Sequence, residues 1–173
     1  MFELLFPFFL LVLFFLVLSI IWRINARKYI SSGTVASAYD AWTQDKLLER
    51  LWGEHIHLGF YPLGKKNVDF RKAKVQFVHE LVKWSGLDKL PKGSRILDVG
   101  CGIGGSSRIL AEHYGFNVTG ITISPAQVKR ARELTSYELN CNFQVMDALD
   151  LKFEDGSFDG IWSVEAGAHM NDK

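Results

Sequence analysis

Asp98 stands two residues before a run of glycines, Gly100, Gly102, Gly104 and Gly105, in the segment ILDVGCGIGGSSRIL (residues 96–110). A carboxylate fixed at the end of a strand suits a ligand that carries an ammonium group, because the charge-assisted hydrogen bond needs an anion held in place. Glycines let the backbone come close to a ligand and turn its N–H groups toward an anion at the start of the following helix. Gly100, Gly102 and Gly105 also match the G-x-G-x-x-G turn of dinucleotide folds. Those folds place an Asp or Glu about twenty residues further on, to hold the ribose hydroxyls. Here that region reads Gly120, Ile121, Thr122. A nicotinamide cofactor is therefore disfavoured, and S-adenosylmethionine, which carries both an ammonium and a carboxylate, is the expected ligand. Asp147, just past a third strand, is placed to accept the exocyclic amine of an adenine.

Three further side chains could move a proton. Glu165 and His169 follow a fourth strand at a spacing of four, at the end where open α/β sheets bind ligands. They read equally as a base with its orienter or as a pair that holds the fold or touches the cofactor. His57 lies in the loop GEHIHLGFYPLGKKN (53–67), two residues from His55, and reads as a base candidate or as a loop-binding residue. Tyr39 and Trp52 are aromatic lids over the cofactor or packing for the sheet. No metal is expected, since the five histidines never pair with cysteine at ligand spacing. A formal charge of +1 without basic clusters gives no nucleic-acid footprint. Cys101 and Cys141 have neither C-x-x-C spacing nor the density of a disulfide framework, which points to a reducing compartment.

The elements that must position these groups alternate. SRILDVG, FNVTGIT, NFQVMDA and a stretch within EDGSFDGIWSVEAG read as strands, with SSRILAEHYG and SPAQVKRARELTSYEL as the helices between. Ser124 is the N-cap of the second helix and Pro125 its first residue. The pattern predicts an α/β fold with about four parallel strands over residues 91–173. Ahead of it, residues 39–90 form a helical capping segment. Its longer helix, Phe70–Trp84, would bury Phe70, Ala73, Phe77, Leu81 and Trp84 and turn Lys74 outward. Residues 24–38 are small and polar and read as a tether.

The N-terminus is of another kind. Residues 4–22 hold no charge over nineteen positions, and at about 1.5 Å per residue a helix of that length nearly spans a hydrocarbon core. Glu3 precedes the stretch, and Arg23, Arg27 and Lys28 follow it. A signal peptide has the opposite charge order, so residues 1–23 are expected to be a single-pass anchor in the lipid bilayer, with the rest on the cytoplasmic side.

LDVGCGIGGSSRILA (97–111), GFNVTGITISPAQVKRARELT (115–135), DGSFDGIWSVEAGAHMNDK (155–173), TVASAYDAWT (34–43) and LWGEHIHLG (51–59) together resemble the class I methyltransferases of the tocopherol group. The resemblance covers nearly the whole chain. It implies a Rossmann-like fold and S-adenosylmethionine as cofactor. Asp98, Gly100, Gly102 and Gly104 would line its methionine end, Thr122 and Gln127 would stand in for the ribose-binding acid, and Asp147 with Ala148 would meet adenine. It further implies C-methylation of a membrane-embedded prenylated hydroquinone, 2-methyl-6-phytyl-1,4-benzoquinol, in vitamin E synthesis. The γ-tocopherol step and a non-catalytic, membrane-tethered cofactor-binding module are the alternatives. Ala168 departs from relatives that have Pro or Glu before the His-Met pair. The family resembles a seven-stranded sheet, so a chain of four strands is expected to be an incomplete version of the fold.

Overall fold

The computed structural model describes residues 11–20, 32–64 and 67–170. Four parallel strands form one sheet in the order β3-β2-β1-β4: β1 Arg95–Val99, β2 Asn117–Thr122, β3 Cys141–Val145 and β4 Gly160–Trp162. This is the expected sheet. β1 is central, with Asp98 level with Gly120 on one side and Trp162 on the other. The inner strands β1 and β2 are mostly buried, whereas β3 and β4 at the sheet edges bury Phe143 and Trp162.

Residues 11–20 are helical (α1), followed by α2 (Ser32–Gln44), α3 (Leu47–Trp52), α4 (Phe70–Ser85), α5 (Gly105–Tyr114) and α6 (Pro125–Leu134). Val78 and Val82 of α4 pack with Ile109, Leu110 and Ala111 of α5 over Ile96, Val118 and Trp162 of the sheet. Val128 and Ala131 of α6 pack with Phe143 and Cys101 in a second cluster. Each large apolar side chain so buried contributes about 1.5–3 kcal/mol. α4 starts where the Asp69 carboxylate accepts from the Lys72 N–H, and ends at Gly86, whose φ of 76° is open to glycine without strain. α6 starts at Ser124, whose hydroxyl accepts from the Gln127 N–H, with Pro125 in the first turn as expected. It ends at Leu134 rather than Leu139. Its C-cap, Thr135, turns its hydroxyl back onto the Ala131 carbonyl.

Two expectations are corrected. α2 begins at Ser32, inside the stretch read as a tether, because its Asp40 carboxylate caps α6 and so fixes the helix against the domain. The inward face of α4 is rotated: Lys74, Val78 and Val82 are buried, while Trp84 is 83% exposed. A lysine can face inward there because its ammonium donates to the Trp52 and His55 carbonyls at 2.9 and 2.8 Å. Among the described residues no helix is long and apolar enough to cross a membrane. Residues 11–20 are the described part of the apolar stretch, all exposed, and the rest of the expected anchor lies outside the described residues.

Candidate cofactor site

β1 ends in the glycine turn, and the turn is held by backbone. The N–H groups of Gly100 and Cys101 both donate to the Ile121 carbonyl at the end of β2, at 2.9 and 3.0 Å. Two glycines show what the turn requires. At Gly102 φ is 56°, and a Cβ would meet open space, so the backbone there is bare toward the cleft. At Gly104 φ is 80°, and a Cβ would lie 2.7 Å from the Phe143 ring. Gly104 therefore serves close packing of the turn on β3. It does not border the cleft, contrary to the expectation that it lines the methionine end.

The cleft beside the turn has a volume of about 470 Å³, within the range of small-molecule sites. It brings together Asp98, Gly100, Gly102, Thr122, Gln127, Asp147, Ala148, Tyr39, His57, Glu165 and His169, drawn from the ends of the strands and from the capping segment.

Asp98 is 2% exposed. The Ser107 hydroxyl donates to its Oδ2 at 2.6 Å. Burial pushes its carboxyl up to about 7, with the Ser107 hydrogen bond pulling the other way. A cationic amine at this carboxylate would restore the charged form, so the donor set fits the ammonium of S-adenosylmethionine. The Thr122 hydroxyl donates to Gln127 Oε1 at 2.7 Å, and both side chains are buried. The two residues expected at the ribose are thus bonded to each other at the cleft wall. Asp147 Oδ1 accepts from the Leu149 N–H at 2.9 Å, which fixes the loop after β3.

The proton-carrying residues are arranged otherwise than expected. Glu165 and His169 do not pair. Glu165 Oε1 accepts from the Leu58 N–H at 3.1 Å, and Glu165 holds a left-handed φ of 57°. His169 Nε2 bonds to the Tyr39 hydroxyl at 2.9 Å, joining α2 to the turn after β4. The separation arises because residues 166–169 form a single tight 3₁₀ turn against Gly100, where a Cβ would collide with that of Ala166.

His57 has both ring nitrogens engaged. Nδ1 lies 2.7 Å from the Leu58 carbonyl, which can only accept, so Nδ1 carries the proton. Nε2 of the neutral ring then accepts from His55 Nδ1 at 3.2 Å. His57 is thereby an orienter, and the ring nitrogen left over is His55 Nε2. Burial lowers both imidazoles, His55 to about 4, so both are neutral at neutral pH.

Sequence reasoning missed Asp40 and Ser107 as site-building residues. Asp40 follows Tyr39 on α2 and accepts from the Ser124 hydroxyl and the Ala126 N–H at 2.5 and 3.0 Å, across 84 and 86 positions. No local pattern signals such a pairing. Ser107 carried a usable signal, since it sits nine positions after Asp98, in the first turn of the helix that the glycine turn starts. Among the described residues, no group of three or more His, Cys, Asp or Glu side chains is placed to hold a metal ion. Cys101 and Cys141 are free, and burial raises both thiols, Cys141 to about 11.

Residues 96–173 match a family model described as a methyltransferase domain. The chain is 60% identical over 156 residues to the 2-methyl-6-phytyl-1,4-hydroquinone methyltransferase of Synechocystis, covering 88% of this chain and 48% of that protein. It is 42% identical to the chloroplastic tocopherol O-methyltransferase of Arabidopsis thaliana, covering 73% of this chain and 39% of the relative. The chain thus spans about half the length of the curated relatives it matches or less. Among solved structures, the [4+2]-cyclase SpnF superposes with a TM-score of 0.64 at 28% identity, covering 76% of this chain and 48% of the other. A Haemonchus contortus phosphoethanolamine N-methyltransferase, solved with S-adenosylhomocysteine, superposes at 0.54 and 25% identity, covering 71% of this chain and 26% of the other. The fold, the glycine turn with its buried acid and these matches agree: the chain belongs to the class I methyltransferases, with the tocopherol-pathway enzymes among its relatives.

Proposed function

We propose that this chain contributes the cofactor half of an S-adenosylmethionine-dependent C-methyltransferase acting on a prenylated hydroquinone of tocopherol synthesis, of the 2-methyl-6-phytyl-1,4-benzoquinol kind. The observation that carries the reading is Asp98, a buried carboxylate at the end of β1 beside an open glycine turn, in a chain 60% identical to an enzyme of that name. The γ-tocopherol step is the runner-up, at 42% identity.

Asp98 and the backbone at Gly100 and Gly102 would hold the methionine end, the Thr122–Gln127 pair the ribose, and Asp147 with Ala148 the adenine. The bound cofactor supplies an electrophilic methyl group. The protein's own task is to orient the acceptor ring and take a phenolic proton, which raises electron density at the ring carbon. Glu165 is the proton acceptor in this reading. One carboxylate oxygen is fixed by the Leu58 N–H, which leaves the other for the substrate hydroxyl. His57 orients His55 and the loop, while His169 with Tyr39 closes the cleft from the α2 side.

A substrate with a phytyl tail resides in lipid. The apolar stretch 4–22 would anchor the domain at that surface in a single pass, with the cleft on the cytoplasmic side. The test is methyl transfer from labelled S-adenosylmethionine to 2-methyl-6-phytyl-1,4-benzoquinol and to γ-tocopherol, measured on the whole enzyme. Transfer to the first quinol supports the reading, and transfer to γ-tocopherol alone replaces it with the runner-up.

A further inference from the structure

The capping segment carries apolar side chains that the domain does not cover. Leu47 and Leu51, one turn apart on α3, are exposed, as are Trp52, Leu58 and Tyr61, and Leu63 is fully so. The surface is firmly held from behind. Lys74 Nζ ties the Trp52 and His55 carbonyls and lies 4.7 Å from the Trp52 ring centroid and 5.2 Å from that of Phe70. The Phe60 N–H donates to the Ala73 carbonyl at 2.8 Å. An apolar surface built on a braced loop is a contact site rather than a loose end.

Charge indicates what it contacts. The acids Glu49 and Glu54 of this segment are neutralised by Arg130 and Arg108 of the domain, and Asp45 and Asp69 accept from the Leu47 and Lys72 N–H groups at helix starts, whereas the cations Lys46, Arg50 and Lys72 make no ion pair among the described residues. Exposed apolar side chains with cations around them suit the headgroup region of an anionic bilayer. Chain length points the same way. From Trp22 at the end of the apolar stretch to Ser32 at the start of α2 is ten residues, a reach of about 35 Å at most, and α3 follows α2 after two residues. This step rests on the anchor reading given above.

We propose that Leu47, Leu51, Trp52, Leu58, Tyr61 and Leu63 form a second membrane contact, seated in the headgroup region of an anionic lipid bilayer. The same loop supplies Glu54, His55, Ile56 and His57 to the cleft wall, so the contact would place the mouth of the cleft against the lipid from which an apolar acceptor enters.

The test attaches a nitroxide label to Leu63→Cys of the full chain. Labels at Leu16→Cys in the apolar stretch and at exposed Tyr137→Cys, and the labelled parent with its two native cysteines, serve as controls. Collisions with oxygen, which concentrates in lipid, and with a water-soluble nickel chelate are measured with phosphatidylcholine–phosphatidylglycerol vesicles. The contact predicts that vesicles lower nickel collisions several-fold at Leu63 while oxygen collisions rise, with Tyr137 unchanged. If Leu16 enters lipid and Leu63 behaves like Tyr137, the contact is refuted and the anchor stands. If both stay in water, both fail. A Leu63 label shielded from both reagents means protein covers this surface, which also refutes the contact.

Discussion

The Ser107 hydroxyl donates to the Asp98 carboxylate at 2.6 Å, at a nearly buried position in the cleft wall. One hydroxyl is little compensation for burying a charge, so burial pushes the carboxyl up to about 7.

The raised carboxyl sets a pH dependence. In the folded protein Asp98 titrates well above its ordinary value of 3.8, so between 3.8 and about 7 the folded protein binds more protons than the unfolded one. The contribution of Asp98 to stability is then fully present below the unfolded value and is lost as pH rises through about 7. A tenfold difference in proton affinity between the two states is worth about 1.4 kcal/mol. Thermal melting at pH 5.5 and 8 should show the parent losing more stability with rising pH than Asp98→Asn. Equal pH dependence in the two proteins would contradict the assignment.

Two glycines of one turn should respond differently to alanine. Gly104→Ala forces a side chain into the Phe143 ring at positive φ and should cost about 1–3 kcal/mol, read by denaturant titration. Gly102→Ala meets no protein atom, so beyond the cost of its own φ it should mainly weaken S-adenosylhomocysteine binding, read by calorimetry.

The expected difference between those two glycines marks how far the sequence was legible. Strands, helix starts and the turn were readable because they are local: β1 and β2 are mostly buried runs, Ser124 and Pro125 announce α6, and Asp98 precedes its glycines. Gly102 and Gly104 look alike in sequence, and only the position of Phe143 separates them. The Glu165–His169 pair failed because a spacing of four implies adjacency on an α-helix, and the chain there turns as a 3₁₀ segment. The face of α4 was misjudged because a lysine was assumed to point outward, and carbonyls from another segment made its burial tolerable.

Asp40 ties α2 to the domain. Asp40→Ala removes the acceptor of the Ser124 hydroxyl and the Ala126 N–H and should cost about 0.5–2 kcal/mol. Hydrogen exchange at Ala126 and along α2 should speed up, while β1 exchanges as before.

Glu49 and Arg130 join α3 to α6 through two charged hydrogen bonds, at 2.8 and 2.6 Å. That pairing holds the Glu49 carboxyl below its ordinary value of 4.5. A depressed carboxyl contributes stability present above the unfolded value and lost as pH falls through the folded one, so α3 should loosen in acid, below about 4.5. Glu49→Gln should flatten this response in hydrogen exchange of α3, with a loss near about 1 kcal/mol at neutral pH, since the pair is partly solvated.

Everything proposed for the cleft depends on the Asp98 turn binding S-adenosylmethionine, and calorimetry with S-adenosylhomocysteine puts that to the test. The chain should bind this ligand and not a nicotinamide dinucleotide. Asp98→Asn, folded by circular dichroism, should bind at least about tenfold more weakly, a loss of about 1.4 kcal/mol. Unchanged affinity in Asp98→Asn, or binding of the nicotinamide dinucleotide in preference, would contradict the assignment of this turn.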